Sequence, residues 1–95
     1  MIDVNELPAT LPGSMKDQLL ALAPYMVSYN LKANGGFVAD MKIPIEAFVT
    51  FDINHTVLAA HGMSLSVQVE QPEDAGVCGR VFRHAQYAEA QLTYM

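Results

Sequence analysis

Tyr25-Met26-Val27-Ser28-Tyr29-Asn30-Leu31-Lys32, then Ala33-Asn34-Gly35-Gly36, then Phe37-Val38-Ala39-Asp40-Met41-Lys42-Ile43 is the stretch that decides the fold. Tyr25, Val27, Tyr29 and Leu31 alternate with Met26, Ser28, Asn30 and Lys32. Beyond the glycines, Phe37, Ala39, Met41 and Ile43 alternate with Val38, Asp40 and Lys42. Successive side chains of a strand point to opposite faces, so each run carries one apolar row for a core and one mostly polar row outside it. Asn34-Gly35-Gly36 supplies residues that tolerate the positive φ of a tight turn. The reading is a β-hairpin, and so a domain built on antiparallel sheet. The outer row of Met26, Ser28, Asn30, Val38 and Asp40 is only lightly charged, which makes it a candidate contact surface.

Upstream, Met15, Leu19 and Leu22 recur at helical spacing, with Leu20 and Ala23 widening the stripe. Ser14 is the expected N-cap, Asp17 suits the first turn, and Pro24 marks the expected end. Residues 1–13, with Pro8 and Pro12 and little periodicity, read as an extended arm ahead of a single domain over 14–95.

Downstream, Ala47, Val49, Phe51 and Ile53 alternate with Phe48, Thr50 and Asp52 and read as a third strand, with Pro44 at its junction. Phe48 on the outer row of that strand suggests a face covered by a second subunit. Asp52–His55 reads as a turn, and Ser64–Glu70 as a strand with Leu65, Val67 and Val69 inward. Gln71–Gly76 reads as a loop and Val77–Arg83 as its return strand. In the tail from Ala85 to Met95, Ala88, Ala90, Leu92 and Tyr94 alternate with polar residues and favour strand, although Ala, Glu and Gln are also helix formers. The expected fold is α+β: one N-terminal amphipathic helix on a twisted, mainly antiparallel sheet of five or six strands, a meander of hairpins.

The chain has 95 residues and one cysteine, so it forms one domain without an internal disulfide. The start shows no secretory pattern and no run approaches the ~20 apolar residues of a membrane span, so the expected location is cytoplasmic. Apolar residues make up 52% of the chain and charged residues only 16%, against roughly 25% in an average domain. So small a domain has too little interior to hide that apolar share, which favours a homodimer or another protein partner. The net charge is −5, and the five basic residues are spread over the whole chain. Nucleic acid is therefore not an expected partner.

Candidate chemistry is sparse. His55, His61 and His84, with Asp52 and Cys78, are weak metal-ligand candidates. His55 and His61 are six apart, as are Cys78 and His84, a separation of roughly 20 Å along a strand and too long for one ion. Cys78 has Arg80 two residues away, which favours thiolate, but His84 on the same strand is out of reach as a base. A small core side chain is the better reading of Cys78. Asp52 near His55 is the one acid–histidine pairing, and turn formation explains it without catalysis. No Gly-rich phosphate loop and no nucleophile elbow is present.

The expected function is a non-enzymatic protein–protein interaction module acting as a homo-oligomer, without a cofactor. Candidate contact residues are Phe48, Met26, Val38, Arg80 and Tyr29. A carrier or sensor holding a small apolar ligand between helix and sheet is the alternative, and a metal- or thiol-dependent enzyme the third. Cys78→Ser separates the last of these: it is expected to change little if the thiol is core filler, whereas a thiol enzyme would lose its activity in an activity assay.

Overall fold

A computed structural model describes residues 2–69 and 87–95. The chain is α+β, with a four-stranded antiparallel sheet and a few short helices. Strands β1 (Met26–Leu31), β2 (Phe37–Pro44), β3 (Met63–Val69) and β4 (Tyr87–Tyr94) lie in the order β1-β2-β4-β3. Helices α1 (Gly13–Ala21), α2 (Ile45–Phe48) and α3 (His55–Ala60) join them, with 3-10 turns at Val4–Glu6 and Ala23–Tyr25. No helix among the described residues is long and apolar enough to cross a membrane.

The hairpin forms where the alternation places it. Lys32 and Gly36 close it, with the Lys32 amide donating to the Gly36 carbonyl at 2.8 Å. Of the two loop glycines only Gly35 has positive φ, at 90°, which fits a three-residue loop ending in a left-handed residue. The Asn34 side chain accepts the Gly36 amide and stiffens the loop. Gly36 is needed for a different reason: a Cβ there would run into the Tyr94 carbonyl of β4.

One row departs from simple alternation. Met26 is opposite Met41 and Ser28 opposite Asp40, so β1 carries an extra residue between them. The irregularity turns Met26 onto the core and leaves Val27 outside. This reverses the faces that strict period-2 reading assigns to the two residues.

The tail is a strand, and it is central. β4 pairs β2 from Phe37↔Tyr94 to Pro44↔Tyr87, and β3 from Met63↔Tyr94 to Val69↔Ala88. Four strands stand among the described residues in place of the expected five or six. The expected strand Val77–Arg83 and loop Gln71–Gly76 lie outside the described residues.

The third strand expected over Ala47–Ile53 is instead helix α2, a turn and an extended segment. Pro44 has φ −55° and ψ 139° and serves as N-cap, ending β2 and starting a helix in one residue. The amides of Val49 and Thr50 then bond back to Ile45 and Ala47 carbonyls rather than to another strand. Phe48 packs against the core, so it is not on an outer sheet row. What stands in for strand pairing at Asp52 is a side chain. The Gln18 carboxamide donates to the Asp52 carbonyl at 3.1 Å and accepts its amide at 2.6 Å.

The N-terminal segment, expected to be a loose arm, supplies Ile2, Leu7 and Leu11 to the core. Lys16 Nζ donates to the Ala9 carbonyl, and Thr10 Oγ1 meets His61 Nδ1 at 2.8 Å, which pins the segment at two points. Helix α1 begins at Gly13 with Pro12 at the N-cap, so Ser14 lies inside the first turn rather than capping it. Its Met15 and Leu19 face the core, followed by Leu22. Helix α3 is capped by Asn54, whose side chain accepts the amides of Thr56 and Val57.

These pieces make one apolar cluster against one face of the sheet. Phe37, Ala39, Met41 and Ile43 of β2, Ala88, Ala90 and Leu92 of β4, and Met63 and Leu65 of β3 meet Leu19, Leu22 and Leu58. No polar or charged residue among those described is buried. Phe37 is the hub, with its ring 5.3 Å from Tyr29 and 5.9 Å from Tyr94.

Urea unfolding followed by circular dichroism checks this hierarchy. Phe37→Ala is expected to cost about 3–5 kcal/mol. Gly36→Ala, which presses on backbone rather than on a flexible side chain, is expected to cost about 1–3 kcal/mol. Leu31→Ala, at an exposed position, is expected to stay within about 0.5 kcal/mol.

Candidate functional site

Helices and core occupy one face of the sheet, and the other face is built almost wholly of polar side chains. Residues directly opposite one another share a face. One row of this second face runs Ser28, Asp40, Gln91, Ser66 from β1 to β3. A second runs Asn30, Val38, Thr93, Ser64, and a third Lys42, Glu89, Gln68. None of these residues is buried.

Asp40 is the best-fixed group on the face. Ser28 Oγ donates to Asp40 Oδ2 at 2.7 Å, and Gln91 Nε2 donates to Oδ1 at 3.0 Å. The Ser28 hydrogen bond, and then that from Gln91, favour the carboxylate and hold its pKa below the ordinary aspartate value. With both oxygens engaged and its charged form favoured, Asp40 is a fixed anion rather than a proton-transfer group. Lys42 takes a different partner, its ammonium lying 5.0 Å from the centre of the Tyr87 ring.

Around Asp40 the face is shallowly concave. A cleft of about 410 Å³ is lined by Asp40, Lys42, Ser66, Gln68, Glu89 and Gln91, together with Val27, Met41 and Ala90. Its carboxylates, carboxamides, hydroxyl and ammonium suit polar contacts, beside apolar surface from Val27, Met41 and Ala90. It lies on the open side of the sheet, opposite the helices, and not between helix and sheet.

The residues singled out from the sequence are scattered by the fold. Val38 is on the open face, half-buried between Asn30 and Thr93. Tyr29 lies on the core side beside Phe37, with its hydroxyl enclosed and without a hydrogen-bond partner among the described residues. Met26 and Phe48 pack against the core. Arg80, Cys78 and His84 lie outside the described residues. His55 opens α3, His61 bonds Thr10, and Asp52 is held through its backbone by Gln18. Among the described residues no group of three or more His, Cys, Asp or Glu side chains is placed to hold a metal.

Sequence reading did not couple Asp40 to Gln91. The alternation of Glu89, Gln91 and Thr93 indicates that they share a strand face, but their neighbours depend on β4 entering between β2 and β3. No protein-family model matches the chain, and no curated protein or solved structure matches it either.

The Asp40 network is testable by carboxyl-carbon NMR titration. Ser28→Ala is expected to raise the Asp40 pKa toward the ordinary value, with Gln91→Ala acting in the same direction but less. Because folding lowers this pKa, its contribution to stability is complete above the ordinary aspartate value and is lost as pH falls through the lowered one. In Ser28→Ala that acid-side loss should be smaller and should finish at higher pH.

Proposed function

We propose that this protein is a non-enzymatic protein–protein interaction module that works as a homo-oligomer, through the open side of its sheet and the adjoining β1 edge. The observation that carries the reading is that two strongly exposed apolar residues fall on one edge strand. Val27 and Leu31 are 68% and 67% exposed, and both lie on β1, the terminal strand of the sheet among the described residues. An edge strand presents unpaired amides and carbonyls as a template for another chain. Apolar side chains on such a strand add burial to that backbone pairing.

The open face supports the same reading in a second way. Its side chains are mostly neutral donors and acceptors, the kind that a partner engages directly or through water. The fixed anion at Asp40 adds a point of electrostatic selection. A polar small molecule in the Asp40 cleft is the second reading, favoured by the concavity and its lining.

Size-exclusion chromatography with light scattering tests the first reading. The expected result is a molar mass that rises with concentration above the 10.4 kDa of one chain. A constant 10.4 kDa into the high-micromolar range contradicts it.

A further inference from the structure

We infer that the partner at the β1 edge is a second copy of the chain, whose own β1 pairs antiparallel about a two-fold axis at Asn30 to join the described strands of both copies into one continuous sheet. The inference rests on the interaction-module reading above and specifies its partner and register.

Backbone parity sets the register. The Lys32 amide donates inward to Gly36, so Lys32 belongs to a hydrogen-bonded pair of the hairpin. Such pairs alternate along an antiparallel ladder. Asn30 and Ser28, opposite Val38 and Asp40, therefore direct their backbone groups toward β2 as well. Tyr29 and Leu31 direct theirs to the outer edge. A two-fold ladder using both residues pairs Tyr29 of each copy with Leu31 of the other, and places the two Asn30 residues opposite each other.

The side chains in that register are complementary. Leu31 shares the core-side face with Tyr29 and Phe37 but is 67% exposed, with no further strand beside it among the described residues. In the pair it lies against the Tyr29 ring of the other copy, extending the Tyr29–Phe37 contact across the axis. On the open face the two Asn30 carboxamides, each both donor and acceptor, meet at the axis. Ser28 falls opposite Lys32 of the second copy. Asp40 already bonds Ser28, so that lysine comes within side-chain reach of the Asp40 carboxylate, twice by symmetry. Met26–Leu31 carries no charge of its own, so self-pairing sets no like charges opposite one another. No proline and no charge lies within the strand, and its one irregularity, between Met26 and Ser28, leaves the ladder over Ser28–Leu31 regular.

The test uses sedimentation velocity on the full chain and disulfide trapping in a Cys78→Ser background. Across the axis the two Asn30 Cα atoms stand about 4.5 Å apart, the spacing of a non-hydrogen-bonded pair and within disulfide range. Asn30→Cys is expected to form a covalent dimer on mild oxidation, whereas Ser28→Cys, roughly 13 Å from its own copy, is expected not to. Leu31→Lys is expected to weaken the dimer about tenfold or more while leaving the melting temperature of the monomer unchanged, because Leu31 is exposed before association. A dimer that survives Leu31→Lys, fails to trap at Asn30→Cys and dissociates with Gln91→Lys overturns the edge pairing but keeps the interaction module, now acting through its open face. A wild-type chain that stays monomeric throughout overturns both.

Discussion

The pairing of β4 between β2 and β3 is the constraint on which the rest of the structure depends. Tyr87–Tyr94 pairs along its whole length with β2 and, over seven of its residues, with β3. Without it the hairpin β1–β2 is an isolated two-stranded ribbon, which is marginal in water. With it, Ala88, Ala90 and Leu92 complete an apolar floor on which α1, α3 and the N-terminal segment rest. The same strand sets Gln91 beside Asp40, so one pairing determines both the core and the open face.

The small size of the chain explains why packing is one-sided. Its apolar residues suffice for one layer of helix on one face of one sheet, and the N-terminal segment is drawn in to complete that layer. The other face is left with Ser, Thr, Asn, Gln and a few charges, which need no cover from the chain itself. Part of the apolar excess then emerges at β1, where Val27 and Leu31 meet no further strand among the described residues. The site is thus a consequence of what the core does not consume.

Much of this was legible from local pattern. The hairpin, the strand at Met63–Val69 and the strand character of the tail follow from period-2 alternation, and helix α1 from Met15, Leu19 and Leu22. Alternation misled at Ala47–Ile53, because Ala47, Phe51 and Ile53 do pack against the core, while the helical turn brings in Phe48 and leaves Val49 exposed. Pro44 followed by Glu46 in the first turn was the signal for that helix, and Asn54 before His55-Thr56-Val57 was the signal for α3. The swap of Met26 and Val27 carried no local sign, since a single inserted residue in a ladder depends on the partner strand. The Asp40–Gln91 contact joins residues 51 apart and needed the strand order.

The most direct measurement of the β1 account is amide hydrogen exchange as a function of protein concentration. The amides of Ser28, Asn30 and Lys32, bonded within the hairpin, should be protected at every concentration. Those of Tyr29 and Leu31 should exchange freely when the protein is dilute and become protected together as it is concentrated. Exchange at Tyr29 and Leu31 that stays fast from dilute to concentrated solution, or that is slow throughout, would contradict the account.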